Sequence, residues 1–357
     1  MIFISKSFLL KTYCYIWKLI FIMTDFSSFS SKKINDEISV YSLTNENGIE
    51  AQFTNFGATI LSLIIPTKNG KIDVLLGFDN VEEYIKAFEI GASPYFNCVV
   101  GRFAGRIKNA QFYLNNQLVQ LDKNHGKHHL HGGNHHLSNV AWDVINYDKK
   151  NNSIAFSYLS KANDFYSGDV SIEVNYSLSK DNKLTINYKA TSTEDTLFNL
   201  TNHAYFNLDG FAGSVLDQKM MINAEQFLEL DEENIPTGNY IPMENHQFDY
   251  RDFKNVVSGI DHCFIIKNET QPAAILMSEK NQLKMKVYTN QPAVQIYVGG
   301  KTVDELKNKE NTTFHSESGI CFETQVFPDA PNHENFPNAI LRQGETYLQN
   351  TSFEFEF

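Results

Sequence analysis

One imidazole lies among amides, a hydroxyl and two aromatic rings in the stretch Asn199-Leu200-Thr201-Asn202-His203-Ala204-Tyr205-Phe206-Asn207-Leu208. Histidine titrates nearest neutrality, so His203 can both give and take a proton. An apolar, aromatic surround with a few convergent polar groups is also how small-ligand pockets are built. Taken alone, though, such a histidine reads first as a hydrogen-bonded core or strand-end residue. A second group changes the balance. Gly319-Ile320-Cys321-Phe322-Glu323-Thr324-Gln325-Val326-Phe327-Pro328-Asp329-Ala330 holds a glutamate inside an apolar run. Glutamate is rarely buried without a partner, so Glu323 either pairs with a cation or serves as a base.

Four further stretches carry chemistry-bearing side chains. Val99-Val100-Gly101-Arg102-Phe103-Ala104-Gly105-Arg106-Ile107 lacks the Gly-Lys-Ser/Thr ending of a phosphate loop. Its two arginines either lie on the surface or present a guanidinium to hydroxyls or an oxyanion. Between His125 and His136 stand six of the eleven histidines, with Gly126, Gly132 and Gly133 among them. That stretch reads as a metal site, a surface loop, or a glycine-rich loop that hugs a ligand with one functional histidine. Against metal, it offers no nearby carboxylate or cysteine. Asp261 heads the apolar run Ile260–Ile266, and Val287–Tyr297 reads as an aromatic strand pair around Pro292, with Gln295 able to bind hydroxyls.

Strands must position these groups. Val170, Ile172, Val174, Tyr176 and Leu178 alternate with mostly polar residues, and Leu184–Tyr188 follows across Lys180-Asp181-Asn182. Ile49–Phe53, Thr59–Ile65 and Ile72–Leu76 are further strand runs, punctuated by Pro66 and by the hairpin signal Asn69-Gly70. Phe112–Val119 predicts a hairpin about an Asn turn, and Phe353, Phe355 and Phe357 a last strand. Asp79-Asn80 caps a short helix over 81–88. Strands at this spacing predict an all-β fold, a large antiparallel β-sandwich with few short helices. No repeat or linker divides it, so residues 38–357 are expected to form one domain after an extension and Ser/Lys-rich linker over 1–37.

Composition narrows the ligand. Of 357 residues 42% are hydrophobic and 20% charged, enough for a full core. A net charge of −12 with no Lys/Arg stripe excludes a nucleic-acid footprint and leaves neutral small molecules. Cys14, Cys98, Cys263 and Cys321 form no disulfide or zinc pattern, which fits a reducing compartment. Residues 1–22 are apolar but broken by Lys6, Lys11 and Lys18, too interrupted for a membrane span or a clean signal peptide. The expectation is translation from Met23 and a cytoplasmic monomer, periplasmic or secreted only if residues 1–22 act as a signal.

Gly101-Arg-Phe-Ala-Gly-Arg106, Leu130-His-Gly-Gly133, Thr201-Asn-His-Ala-Tyr-Phe-Asn-Leu208 and Glu323-Thr-Gln-x-x-Pro-Asp-Ala330 occur in that order. Together they resemble the aldose 1-epimerase (galactose mutarotase) family, from about Ile49 to the C-terminus. The resemblance implies a β-sandwich that interconverts the anomers of free hexoses. It implies His203 as general acid and Glu323 as general base. Arg106, His131, Asp261 and Gln295 would hold the sugar hydroxyls and the ring-oxygen region, with Tyr205 close by. Gly105 departs from the family pattern, which often has Asn there, and removes one side-chain contact to the sugar. Ring opening and reclosure need two proton transfers and no redox step, so no cofactor is expected, while a bound calcium ion is left open. Opposite charges at His203 and Glu323 are expected to keep both ionised near neutrality. Three rivals compete: an epimerase of hexose 6-phosphates, a non-catalytic sugar-binding module, and a His-rich metalloenzyme.

Overall fold

The alternation at 170–178 is realised as the strand Val170–Leu178, with its five apolar side chains buried and the residues between them facing outward. It pairs along its length with Lys183–Ser192, from Val170 opposite Ser192 to Leu178 opposite Leu184. Asn182 closes that hairpin at φ +61°, a conformation Asn tolerates. These strands lie inside a nine-stranded antiparallel sheet, ordered Asp143–Asp148, Ser153–Ser160, Val170–Leu178, Lys183–Ser192, Thr346–Glu356, Leu283–Thr289, Ala274–Ser278, Lys219–Ile222 and Lys254–Asn255. The computed structural model describes residues 31–33, 37–211, 213–267 and 270–357. The apolar segment 1–22, its possible start at Met23 and Cys14 lie outside them.

A second, six-stranded sheet faces the first. Its order is Tyr205–Phe206, Gly319–Gln325, Ala293–Gly299, Asp261–Ile266, Ala224–Leu230 and Pro236–Pro242. Val174, Tyr176, Ile186, Val287 and Phe353 from one sheet and Val294, Ile296, Ile320 and Phe322 from the other fill one continuous core. Each such buried side chain contributes roughly 1.5–3 kcal/mol of transfer free energy. A five-stranded sheet (31–33, 39–44, 50–54, 59–67, 70–73) adds Leu43, Ala51, Phe53 and Ile60 to the same core. The β-sandwich expected from the strand pattern is the fold.

Three local readings change. Pro66 lies within Thr59–Thr67 rather than ending it. The ladder to Glu50–Thr54 stops at Ile64 opposite Glu50, so the N–H that proline lacks is not needed on that side. Leu283–Thr289 and Ala293–Gly299 are not a pair: the first joins the C-terminal strand and the second joins Gly319–Gln325. The chain passes from one sheet to the other at Asn290–Pro292, where Pro292 cannot continue a ladder. Phe357 falls beyond the last strand and is exposed.

The helix spans Val81–Glu89, with the Asn80 side chain accepting from the Glu83 N–H at 3.1 Å. It buries Val81, Tyr84 and Ala87, and its end launches residues 91–95 over the six-stranded sheet. Among the described residues no helix is long and apolar enough to cross a membrane.

Candidate active site

Alternation along Gly319–Gln325 sends Ile320 and Phe322 into the core between the sheets, and Glu323 and Gln325 to the sheet's other face. Pairing then fixes their neighbours. Gln295 stands opposite Glu323, Tyr297 opposite Cys321, Asp261 opposite Tyr297, and Tyr205 opposite Cys321 on the other side. Loops carrying Tyr95, Arg106 and His131, and the link bearing His203, close over this face. The result is a cavity of about 420 Å³, within the usual size for small ligands. His203, Glu323, Arg106, His131, Tyr205, Asp261 and Gln295, the seven residues named from the sequence, all line it.

Nε2 of His203 is 3.4 Å from Oε1 of Glu323, and both side chains are almost fully buried. Backbone bonds hold the imidazole's segment: the His203 N–H donates to Cys98 O at 3.0 Å, and its carbonyl accepts from Asn97 N at 2.9 Å. The ring stacks on Tyr205 (centroids 5.0 Å apart, 15°), with Tyr95 nearly parallel at 6.2 Å. The expectation of an ion pair is overturned. Burial pushes Glu323 up to about 8, assisted by the Asp261 charge and opposed by Arg106. Burial likewise pushes His203 down to about 4, against a smaller upward pull from its own backbone. Stripping water from both charges costs more than their attraction returns. The resting pair is neutral and holds one proton.

Polar groups around this pair are only partly satisfied. Gln295 Nε2 donates to Asp261 Oδ1 at 2.6 Å, and Arg106 Nη1 lies 3.6 Å from Asp261 Oδ2. Arg106 Nε and Gln325 Oε1 are buried without a partner. Buried polar atoms nearly always have partners, so these two are free for a ligand's hydroxyls. His131 Nδ1 accepts from the Gly105 N–H at 3.2 Å. Burial beside His203 and Arg106 also holds that ring well below its ordinary value, hence neutral. The remaining proton is therefore on Nε2, and His131 is a hydrogen-bond donor. Tyr205 uses its hydroxyl on Pro94 O at 3.1 Å, so it serves through its ring. Gly105 lines the pocket at φ +87°, and a Cβ there would sit 3.1 Å from Pro328 Cβ.

Other sequence candidates fall elsewhere. Arg102 is buried away from the cavity, donating to Ser160 Oγ and to the carbonyls of Ser160, Lys161, Ser167 and Gly168 at 2.7–3.0 Å. Only His131 of the six clustered histidines lines the pocket. His129 is fully buried against Tyr166 and Asp122, so a carboxylate does stand beside the cluster, while His125 and His135 are exposed, as the surface-loop reading expects. A three-donor group does exist, drawn from distant segments: His131, His203 and Glu323 bring ligand atoms within 4.8 Å of one another. The proton on His131 Nε2 opposes metal ligation there. Tyr297 and Gln325 were legible as i, i+2 partners of Gln295 and Glu323. Tyr95, at φ +60°, stands on a loop without a sequence signal.

Fold and site define the class: an antiparallel β-sandwich bearing an imidazole–carboxyl pair in a polar pocket on the outer face of one sheet. Comparison with known proteins agrees. Residues 39–354 match the model of the family described as aldose 1-epimerase. The chain is 35% identical to the aldose 1-epimerase of Haemophilus influenzae, over 88% of this chain and 94% of that one. It is 34% identical to the galactose mutarotase of Sus scrofa, over 86% and 91%. A crystal structure of a GalM/aldose epimerase homologue from C. elegans superposes with a TM-score of 0.83 at 29% identity, covering 92% of this chain and 99% of that one. The chain belongs to the aldose 1-epimerase family.

Proposed function

We propose that the protein interconverts the α and β anomers of free hexoses such as glucose and galactose. The observation that carries this is the His203 Nε2–Glu323 Oε1 pair, 3.4 Å apart inside the pocket. The two oxygens on C1 of a hemiacetal share one carbon, so an acid and a base acting on them must converge to about this degree.

The pair becomes active when its single proton passes from Glu323 to Nε2, which needs no proton from solvent. Glu323 then removes the proton of the C1 hydroxyl while His203 protonates the ring oxygen. The C1–ring-oxygen bond breaks, leaving an aldehyde and a new hydroxyl. At that stage Glu323 carries the proton and His203 is neutral, the same state as the resting pair. Rotation about C1–C2 presents the other carbonyl face, and the reverse transfers close the ring. Positioned acid and base groups contribute roughly 10²–10⁴-fold each. Oxidation state is unchanged and no group is transferred, so the chemistry calls for no cofactor.

The cations favour an uncharged sugar over a hexose 6-phosphate. Arg106 faces Asp261, while Lys108 and Lys127 are paired with Asp231 and Glu233. Among the described residues, Lys301 is the other cation lining the pocket. Polarimetry with freshly dissolved α-D-glucose, α-D-galactose and glucose 6-phosphate tests the reading. Free hexoses should lose their initial rotation faster with the protein, and no acceleration would sink it. The expectations of a cytoplasmic monomer, of one catalytic domain over 38–357 and of no nucleic-acid partner go with this reading; gel filtration tests the first of them.

A further inference from the structure

We propose that Cys321 is the positioning residue for His203: its sulfur accepts the Nδ1 proton and so turns Nε2, lone pair outward, to Glu323 and the sugar. This rests on His203 being the acid. Cys321 Sγ lies 3.5 Å from His203 Nδ1, on the side of the ring opposite Glu323. A protonated Glu323 needs a lone pair on Nε2 to donate into, which puts the imidazole's own proton on Nδ1. Cys321 is the side chain placed to receive it. Because Cys321 and Glu323 are two apart on one strand, a single stretch of backbone sets both the back of the ring and the base.

The sulfur is neutral. Cys321 is fully buried, and burial holds its thiol well above its ordinary value. Tyr205 and Tyr297 flank it across the two neighbouring strands. The other titratable groups facing the imidazole are Glu323, Tyr95 and His131, with Cys98, Arg106 and Asp261 behind them. Elsewhere, His129 and His333 have carboxylate partners at hydrogen-bond distance instead, Asp122 at 3.0 Å and Asp329 at 3.1 Å. A carboxylate at Nδ1 stabilises an imidazolium and weakens it as an acid. The ring oxygen of a sugar is a poor base, so a weakly accepting sulfur suits the proton donor better.

The test uses the full-length protein and fresh α-D-galactose. With Cys321→Ala, kcat should fall roughly 10–100-fold at nearly unchanged KM, because transition-state positioning is lost and sugar binding is not. Cys321→Ser should recover part of that loss. Cys321→Asp should move the acidic limb of the kcat–pH profile upward by about two units. Native kcat and an unshifted acidic limb in the Ala and Asp variants would overturn the proposal. Nitrogen NMR of the native protein reads it independently of folding in the variants and of activity. The neutral His203 ring should carry its proton on Nδ1, and finding it on Nε2 would also overturn the proposal. Absent mutarotation by native protein would instead strike the functional reading.

Discussion

Among the described residues, His129 and His203 each have a ring nitrogen within 3.4 Å of a buried carboxyl group, and only one pair is built to react. His129 directs Nδ1 to Asp122 Oδ1 at 3.0 Å, and its Nε2 meets the Tyr166 hydroxyl at 2.7 Å. Asp122 also receives the backbone N–H of Asn134. Although burial would raise Asp122, its bonds from His129 and Asn134 hold it below its ordinary value, so it stays charged. His203 and Glu323 are again an imidazole and a carboxyl, 3.4 Å apart, but Glu323 lies deeper in the protein than Asp122. Among the described residues, however, no backbone N–H reaches the Glu323 carboxyl. Without those bonds burial wins and the acid keeps its proton. Completing a carboxylate's hydrogen bonds makes it structure; leaving them incomplete makes it reactive.

Exchanging the carboxyl for an amide in each region separates them most sharply. Glu323→Gln should lower the polarimetric rate by about 10³-fold or more, since one residue supplies the base in both half-reactions. Asp122→Asn should leave the rate per folded molecule close to native. Equal losses in the two variants would erase the distinction.

Next comes pH. The active pair holds one proton, gains a second below about 4 and loses its last above about 8. kcat should form a plateau between those limits, whichever atom carries the proton at rest, because the pair titrates as a unit. A single ordinary carboxylate limb near 4.5, with no alkaline fall near 8, would contradict it.

Stability should answer in the opposite sense to activity. Glu323 keeps its proton when folded up to about 8 but loses it near 4.5 when unfolded. His203 works the other way: held near 4 when folded, it titrates near 6.5 when unfolded, so between about 4.5 and 6.5 the two groups cancel. Between about 6.5 and 8 the folded pair binds more protons than the unfolded pair, and there native stability falls as pH rises. Glu323→Gln removes the Glu323 contribution and keeps that of His203, so its unfolding free energy should gain on that of the native protein as pH rises from 5 to 8, by on the order of a few kcal/mol at the upper end. Asp122→Asn should instead cost about 1–3 kcal/mol near neutrality, read by denaturant unfolding. Smallest of all, Gln325→Leu should raise KM roughly tenfold and spare kcat, because its free carbonyl binds without reacting.

The sandwich was legible because its period-2 strands are long and one-sided, as at Val170–Leu178. The site was legible where ordered motifs converge, and all seven named residues line one pocket. The charges were not. Coulomb attraction between Glu323 and His203 is visible in their types, whereas the burial that defeats it depends on strands far apart in the chain. The Asn290–Pro292 crossing escaped for a related reason: two adjacent strands look like a pair until their partners at Phe353 and Thr324 are known. Tyr95 reaches the pocket only through the helix before it and the Tyr205 bond to Pro94.

All seven residues of Gly319–Gln325 are buried, and the strand is hydrogen-bonded along Ala293–Gly299 and at Tyr205–Phe206. Its amide protons should therefore be among the slowest in the described residues to exchange for deuterium. The base is thus held on a fully buried, paired strand. Any heat inactivation that precedes global melting should therefore arise in the loops that carry Tyr95 and His131 and not at Glu323.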